Sequence, residues 1–363
     1  MASLLASARG ARACGAGGVT THVDTAIGAD AQRILISFHG GATDIVTQIG
    51  VPATTADYGV VIPVAAEPTL DPVPVMSGEL DALFSATAPS VLMQTGGGDG
   101  GCGCLFAAGS ANKGGAGGPP GGTQVSEPVT IGPVTAVTLT ADTGDAINAW
   151  LADNGFVISP ADQPLVAAYA APGRYFIAIR RSDTAADGGA SSVGIHFTLP
   201  GDQRGLPLRF SRIGAASTVG FTVVVAADDF VAPAPPFATL TLNNLAAQTL
   251  RASGYAAAMS DAVAQRAGHA FVIEGTWTAA ELARYPIDSL RPFIATDARL
   301  TRLSTLMPAG ALDTDVFLDQ PFTGTAPRQI YVEHTDASRA HPRLAFGVGL
   351  LAAAALLRRR PRQ

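Results

Sequence analysis

The chain has 363 residues, 47% hydrophobic and 14% charged, which is apolar enough for a buried core and too apolar for general disorder. Its net charge is −6, yet residues 339–363 hold six Arg and no acid, leaving 17 basic against 29 acidic residues elsewhere. An acidic body lacks the basic surface that displaces counterions from a phosphate backbone, so nucleic acid is excluded as a partner.

The start, MASLLASARGARAC, places the small-x-small triplet Ala11-Arg12-Ala13 before Cys14. No apolar stretch of the usual length precedes it, as a secretory signal requires. Residues 1–13 are therefore expected to be the remnant of an export signal, or to follow a true start further upstream. Cys14 also fits lipid attachment, although Arg12 stands where a small or apolar residue is expected.

RILISF (33–38) reads as a strand, Gly40-Gly41 as a turn and DIVTQIGV (44–51) as an alternating strand. Tyr58 to Val64 is a buried-strand run closed by Pro63. Ser77 stands before GELDALFSA, a short helix with acids in its first turn. Residues 95–123 are mostly Gly with little to bury and read as a flexible insertion.

Beyond the insertion, VTAVTLT (134–140) is a strand. Asp142 or Thr143 caps the helix that follows, and Asn154-Gly155 ends it. A second helix covers Pro164 to Ala170. Strands follow at RYFIAIR (174–180), GIHFTLP (194–200), LPLRFSRI (206–213) and GFTVVVAA (220–227). Residues 238–255 echo 137–156 in a leading TLT and a closing Gly-aromatic pair, as a duplicated strand–helix–helix–strand unit would. Thr278 to Glu281 has capping-box form.

The chain closes on LAFGVGLLAAAALLRRRPRQ. Leu344 to Leu357 is uncharged, with Leu350, Leu351, Leu356 and Leu357 among its apolar residues and Arg358, Arg359 and Arg360 directly behind. Fourteen helical residues span about 21 Å at ~1.5 Å each, short of the ~30 Å hydrocarbon core. Arg343 and Arg358 can snorkel to opposite interfaces and the bilayer can thin. The expectation is a C-terminal membrane anchor or sorting tail over 339–363, its Arg cluster on the cytoplasmic side. The competing reading is an Ala/Leu helix packed on the protein's own core.

For chemistry, the sequence offers Cys14, Cys102 and Cys104. In an oxidising compartment the three cannot all pair internally. Either Cys14 joins Cys102 or Cys104 as a structural tether, or Cys102 and Cys104 form a strained, more oxidising ring. The six His are scattered, and His196 alternates like a strand residue. No G-x-S-x-G elbow, Walker A loop or His-Glu-x-x-His zinc motif occurs. Asp313, Asp315 and Asp319, and Asp142 with Asp145, have oxygen-rich spacing without the full calcium loop. Trp150 and Tyr255 read as core aromatics. No catalytic residue, metal or cofactor is assigned.

The chain resembles a bacterial exported family, domain of unknown function 2330. The likeness lies in Ala13-Cys14-Gly15, QRILISF (32–38), DYGVVIPVAAEPTL (57–70), LFSATAP (83–89), AINAWLADNGF (146–156), GRYFIAIR (173–180) and LTRLSTLMP (300–308). The resemblance implies an exported protein, often tail-anchored, with no established activity. The tail is similar to the helix-plus-arginine sorting signals of myxobacterial surface proteins, without the Cys that usually precedes their helix.

The expected fold class is α+β: mixed, mainly antiparallel sheets with several short helices, plus one C-terminal hydrophobic helix. Residues 14–338 form the exported body. The expected function is a membrane-anchored cell-envelope protein for binding, adhesion or scaffolding, its partners the bilayer and an unidentified surface or periplasmic molecule. The alternative is an envelope thiol–disulfide enzyme using Cys102 and Cys104.

Overall fold

QRILISFH forms the strand Gln32–His39 in the interior of an eight-stranded sheet. The computed structural model describes residues 32–51, 59–93, 122–170, 174–182, 191–215 and 217–332. Across the large sheet the strands run Ala238–Thr241, Ala270–Thr278, Arg299–Pro308, Thr218–Ala227, Gln32–His39, Ala42–Val51, Ser191–Pro200 and Thr69–Leu70. Neighbours are antiparallel except Ala238–Thr241 with Ala270–Thr278 and Gln32–His39 with Thr218–Ala227.

A second, wholly antiparallel sheet orders Gly59–Val64, Tyr175–Arg181, Val134–Ala141 and Thr123–Val125, with Val129–Ile131 also on Val134–Ala141. Five α-helices lie among the described residues, so the α+β, mainly antiparallel architecture is as expected.

Period-two alternation explains how the layers stack. In FIAI, Phe176 and Ala178 face the helices Gly144–Asp153 and Gln163–Tyr169. Ile177 and Ile179 face the large sheet, where Ile45, Ile49, Ile195 and Phe197 meet them. A strand buried on both sides reads as a continuous apolar run, which is why its period is hidden in the sequence. Helix Ala247–Ala264 packs along strand Arg299–Pro308 and joins the core cluster that also holds Val223, Val225 and Phe271. The opposite face carries Leu35, Val46, Val224 and Leu300 under helix Ser77–Ala86 and the 279–298 segment. Burying a side chain such as Phe197 or Phe221 contributes about 1.5–3 kcal/mol relative to leaving it in water.

Several local expectations are corrected. Ser77 opens its helix rather than preceding it, and Met76 is the N-cap, without a side-chain bond. LPLRFSRI is not a strand: Gly205–Leu206 pairs briefly, then Leu208–Arg212 forms a 3-10 turn. Pro207 has no N–H for a ladder, so the chain turns and seats Phe210 and Ile213 in the core beside helix Gln163–Tyr169. The expected insertion over 95–123 overlaps the strand Thr123–Val125 at its end.

The echoed segments share a left-handed glycine, with φ of 78° at Gly155 and 83° at Gly254, where the long helix kinks. Their flanking strands pair differently, antiparallel in the first and parallel in the second. The C-terminal helix expected over 339–363 lies outside the described residues. Among the described residues, no helix is long and apolar enough to cross a membrane.

Candidate functional site

Cys14, Cys102, Cys104 and the tail residues Leu344 to Arg360 lie outside the described residues. The described body instead brings together three polar clusters and one apolar cleft, none of which was legible as a unit in the sequence.

The first cluster sits on the helix-covered face of the large sheet. Alternation places Asp44 there from strand Ala42–Val51, and His196 and Thr198 there from the adjacent strand, with Asp44 opposite Thr198 in register. Asp44 Oδ1 lies 2.9 Å from His196 Nε2 and accepts from the Thr198 hydroxyl at 2.6 Å. Asp71 Oδ2 lies 3.3 Å from the other ring nitrogen of His196, and Phe293 stacks on the ring at 3.9 Å. His39 Nε2 comes within 2.7 Å of Asp44 Oδ2 but is out of line for a hydrogen bond.

The Asp44 and His196 side chains are each 8% exposed, and Asp71 and His39 mark the open ends of the row. Burial by itself raises the Asp44 pKa. The bonds from His196 and Thr198, with the charges of His196 and His39, outweigh it and hold the carboxyl below its ordinary value. His196 is thus a satisfied strand histidine, as its alternation implied.

The second cluster is centred on Glu274, which is 2% exposed. Its strand shifts register between Ile273 and Gly275, and such a bulge re-aims a side chain. Glu274 accepts from Tyr255 Oη at 2.5 Å, Arg302 Nε at 2.5 Å and Ser304 Oγ at 2.8 Å. Arg302 also donates to the Phe84 carbonyl at 2.6 Å and the Thr87 hydroxyl at 3.0 Å. Its cation therefore meets the negative end of helix Ser77–Ala86. Burial first, then the Glu274 carboxylate, pushes the Tyr255 pKa far up.

The third set uses the acids with calcium-like spacing, and the fold sends them to different partners. Asp313 Oδ1 lies 2.7 Å from His269 Nε2. Asp315 accepts from Tyr169 Oη at 2.5 Å and the Arg209 amide at 3.0 Å, while Asp319 accepts from the Gln320 side chain. Among the described residues, no group of three or more His, Cys, Asp or Glu is arranged to hold a metal ion. Thr143, rather than Asp142, caps helix Gly144–Asp153.

The cleft lies on the other face of the large sheet, where the edge strand Gly59–Val64 approaches it. Ile36, Ile45, Phe197 and Leu199 form its floor, and Ile62, Val64, Leu206 and Phe210 close over it. Among the described residues, its lining carries no charged residue and no histidine. Gln32 and Ser211, hydrogen-bonded to each other at 3.1 Å, stand in its wall together with Thr47. Pockets of this make-up, apolar with a few placed polar groups, are the usual form of a small-ligand site.

Stacked sheets with helices outside them, and an apolar cleft at the seam, define an α+β protein with mainly antiparallel sheets. The family model described as an uncharacterized protein conserved in bacteria (DUF2330) matches residues 10–269, more than half of the chain, and the chain belongs to that family. The tail at 339–363 lies beyond the matched span. No curated protein matches the chain, and no solved structure does.

Proposed function

We propose that this is a bacterial cell-envelope protein that binds rather than transforms its ligand, with the body outside the cytoplasm and residues 339–363 anchoring it in the bilayer. The observation that carries the binding reading is the apolar cleft between the two sheets. Its lining is uncharged, whereas the buried acids Asp44 and Glu274 are engaged with partners on the chain itself. The envelope placement is supported by the acidic body, the basic tail and the uncharged run Leu344 to Leu357.

Protease shaving of intact cells tests the topology, with one epitope near Ala116 and another after Gln363. The expected result is loss of the first tag and survival of the second. Protection of both tags rules out an exposed body. Deleting residues 342–363 should release the protein from the membrane fraction; if the truncated chain still sediments, the tail is not the anchor.

A further inference from the structure

The cleft has a polar end and an apolar end, and the strand registers define the direction between them. Ile34 pairs with Thr47, Ile36 with Ile45, and Thr47 with Ile195, so Gln32 and Thr47 sit at the same end of the floor. Ser211 bonds Gln32 there. Ile36, Ile45 and Phe197 lie one step further along, and Leu199 beyond them.

Thr47 is only 4% exposed and lines the cleft at this end, beside the Gln32–Ser211 couple. These side chains give that end of an otherwise apolar cleft the donors and acceptors an occupant's polar group needs. The cavity holds about 70 Å³, small beside the engineered cavity of roughly 150 Å³ that takes benzene. A sterol or a bulky ring does not fit this space, whereas part of an unbranched chain does.

We infer that the cleft binds a slender, uncharged amphiphile: an unbranched aliphatic chain ending in a hydroxyl or amide group that pairs with Thr47 and the Gln32–Ser211 couple. This rests on the cleft being the binding site proposed above. The apolar end takes the methylenes, and the apolar lining disfavours an ionised head because burial there strips its water.

The test uses the full chain and primary alcohols from ethanol to 1-octanol, with hexanoate as the charged counterpart of 1-hexanol, followed by calorimetry. Expected are one saturable site, about fourfold tighter binding per added methylene until the slot is full, and hexanoate weaker than 1-hexanol by at least tenfold. Thr47→Val keeps the β-branched shape and removes the hydroxyl, and should weaken 1-hexanol by about two- to tenfold. Ile36→Trp, checked for folding by circular dichroism, should fill the slot and abolish binding.

If Ile36→Trp abolishes binding but Thr47→Val is silent, or hexanoate binds as well as 1-hexanol, the cleft remains a binding site and the proposed ligand class is overturned. If no alcohol binds saturably, or binding survives in folded Ile36→Trp, the cleft reading itself fails.

Discussion

Glu274 and Arg302 form a 2.5 Å ion pair at a bulge of the large sheet, and through it the helices Ala247–Ala264 and Ser77–Ala86 are tied together. Tyr255, on the kinked helix Ala247–Ala264, donates to the same carboxylate. Arg302 reaches the C-terminal end of helix Ser77–Ala86. Removing one partner strands a buried charge. Arg302→Ala should therefore cost roughly 3–5 kcal/mol, well beyond an ordinary surface substitution. Urea unfolding of the purified chain measures it, and a loss under about 1 kcal/mol would show that water replaces the guanidinium.

Asp44 sets an acid limit on stability. Its folded pKa is below the ordinary value of 3.8. The sign follows: its contribution is full above that value and disappears as pH falls through the lower, folded one. Asp44→Asn should lower stability at neutral pH by about 1.5–3 kcal/mol and flatten the decline on the acid side. Equal acid slopes for the two proteins would mean that burial cancels the bonds from His196 and Thr198.

Glu281 is a weaker case of the same linkage. Hydrogen bonds from Arg328 act first; with those from the Thr278 capping box, they outweigh partial burial and bring its pKa to about 2. Its stabilisation is present above the ordinary carboxylate range and fades as pH falls toward 2. Both side chains of the pair are more than 40% exposed, so solvent and salt screen the effect to under about 1 kcal/mol. Glu281→Gln should shift the urea midpoint slightly at low salt and not measurably in 1 M NaCl. A large, salt-independent shift would assign the effect to helix capping instead.

Gly144 marks a close approach between two helices. A Cβ built there falls 2.2 Å from the Ala167 Cβ and 2.4 Å from its Cα. Helix propensity favours Ala over Gly by up to about 1 kcal/mol, but backbone cannot yield as a flexible side chain does. Gly144→Ala should therefore destabilise by about 1–3 kcal/mol, with the Trp150 fluorescence changing as the pair of helices separates. A neutral or higher melting temperature would show that the helices slide apart freely.

The strands of the core were legible where sequence period and burial agree. DIVTQIGV alternates in side-chain polarity although both its faces are largely covered, and FIAI is continuous because both of its faces are covered by apolar layers. Thr143 and the Thr278–Glu281 box were visible because capping is decided within four residues. LPLRFSRI shows the limit: its alternation imitates a strand, while Pro207 and the pocket receiving Phe210 turn it into a 3-10 segment. His196 was seen as a strand histidine, but its partners Asp44 and Asp71 were not, since they lie 152 and 125 residues away.

By itself, the sequence determined the α+β class, the main strands, the local caps and the family resemblance, because these follow from neighbouring residues and from an ordered series of motifs. Only the tertiary structure decided that Gln32, Thr47 and Ser211 share one end of an apolar cleft, and that Glu274 answers Tyr255 and Arg302 at once. Strand register and sheet stacking bring those groups together, and both are set by the burial of whole faces rather than by any short stretch of chain.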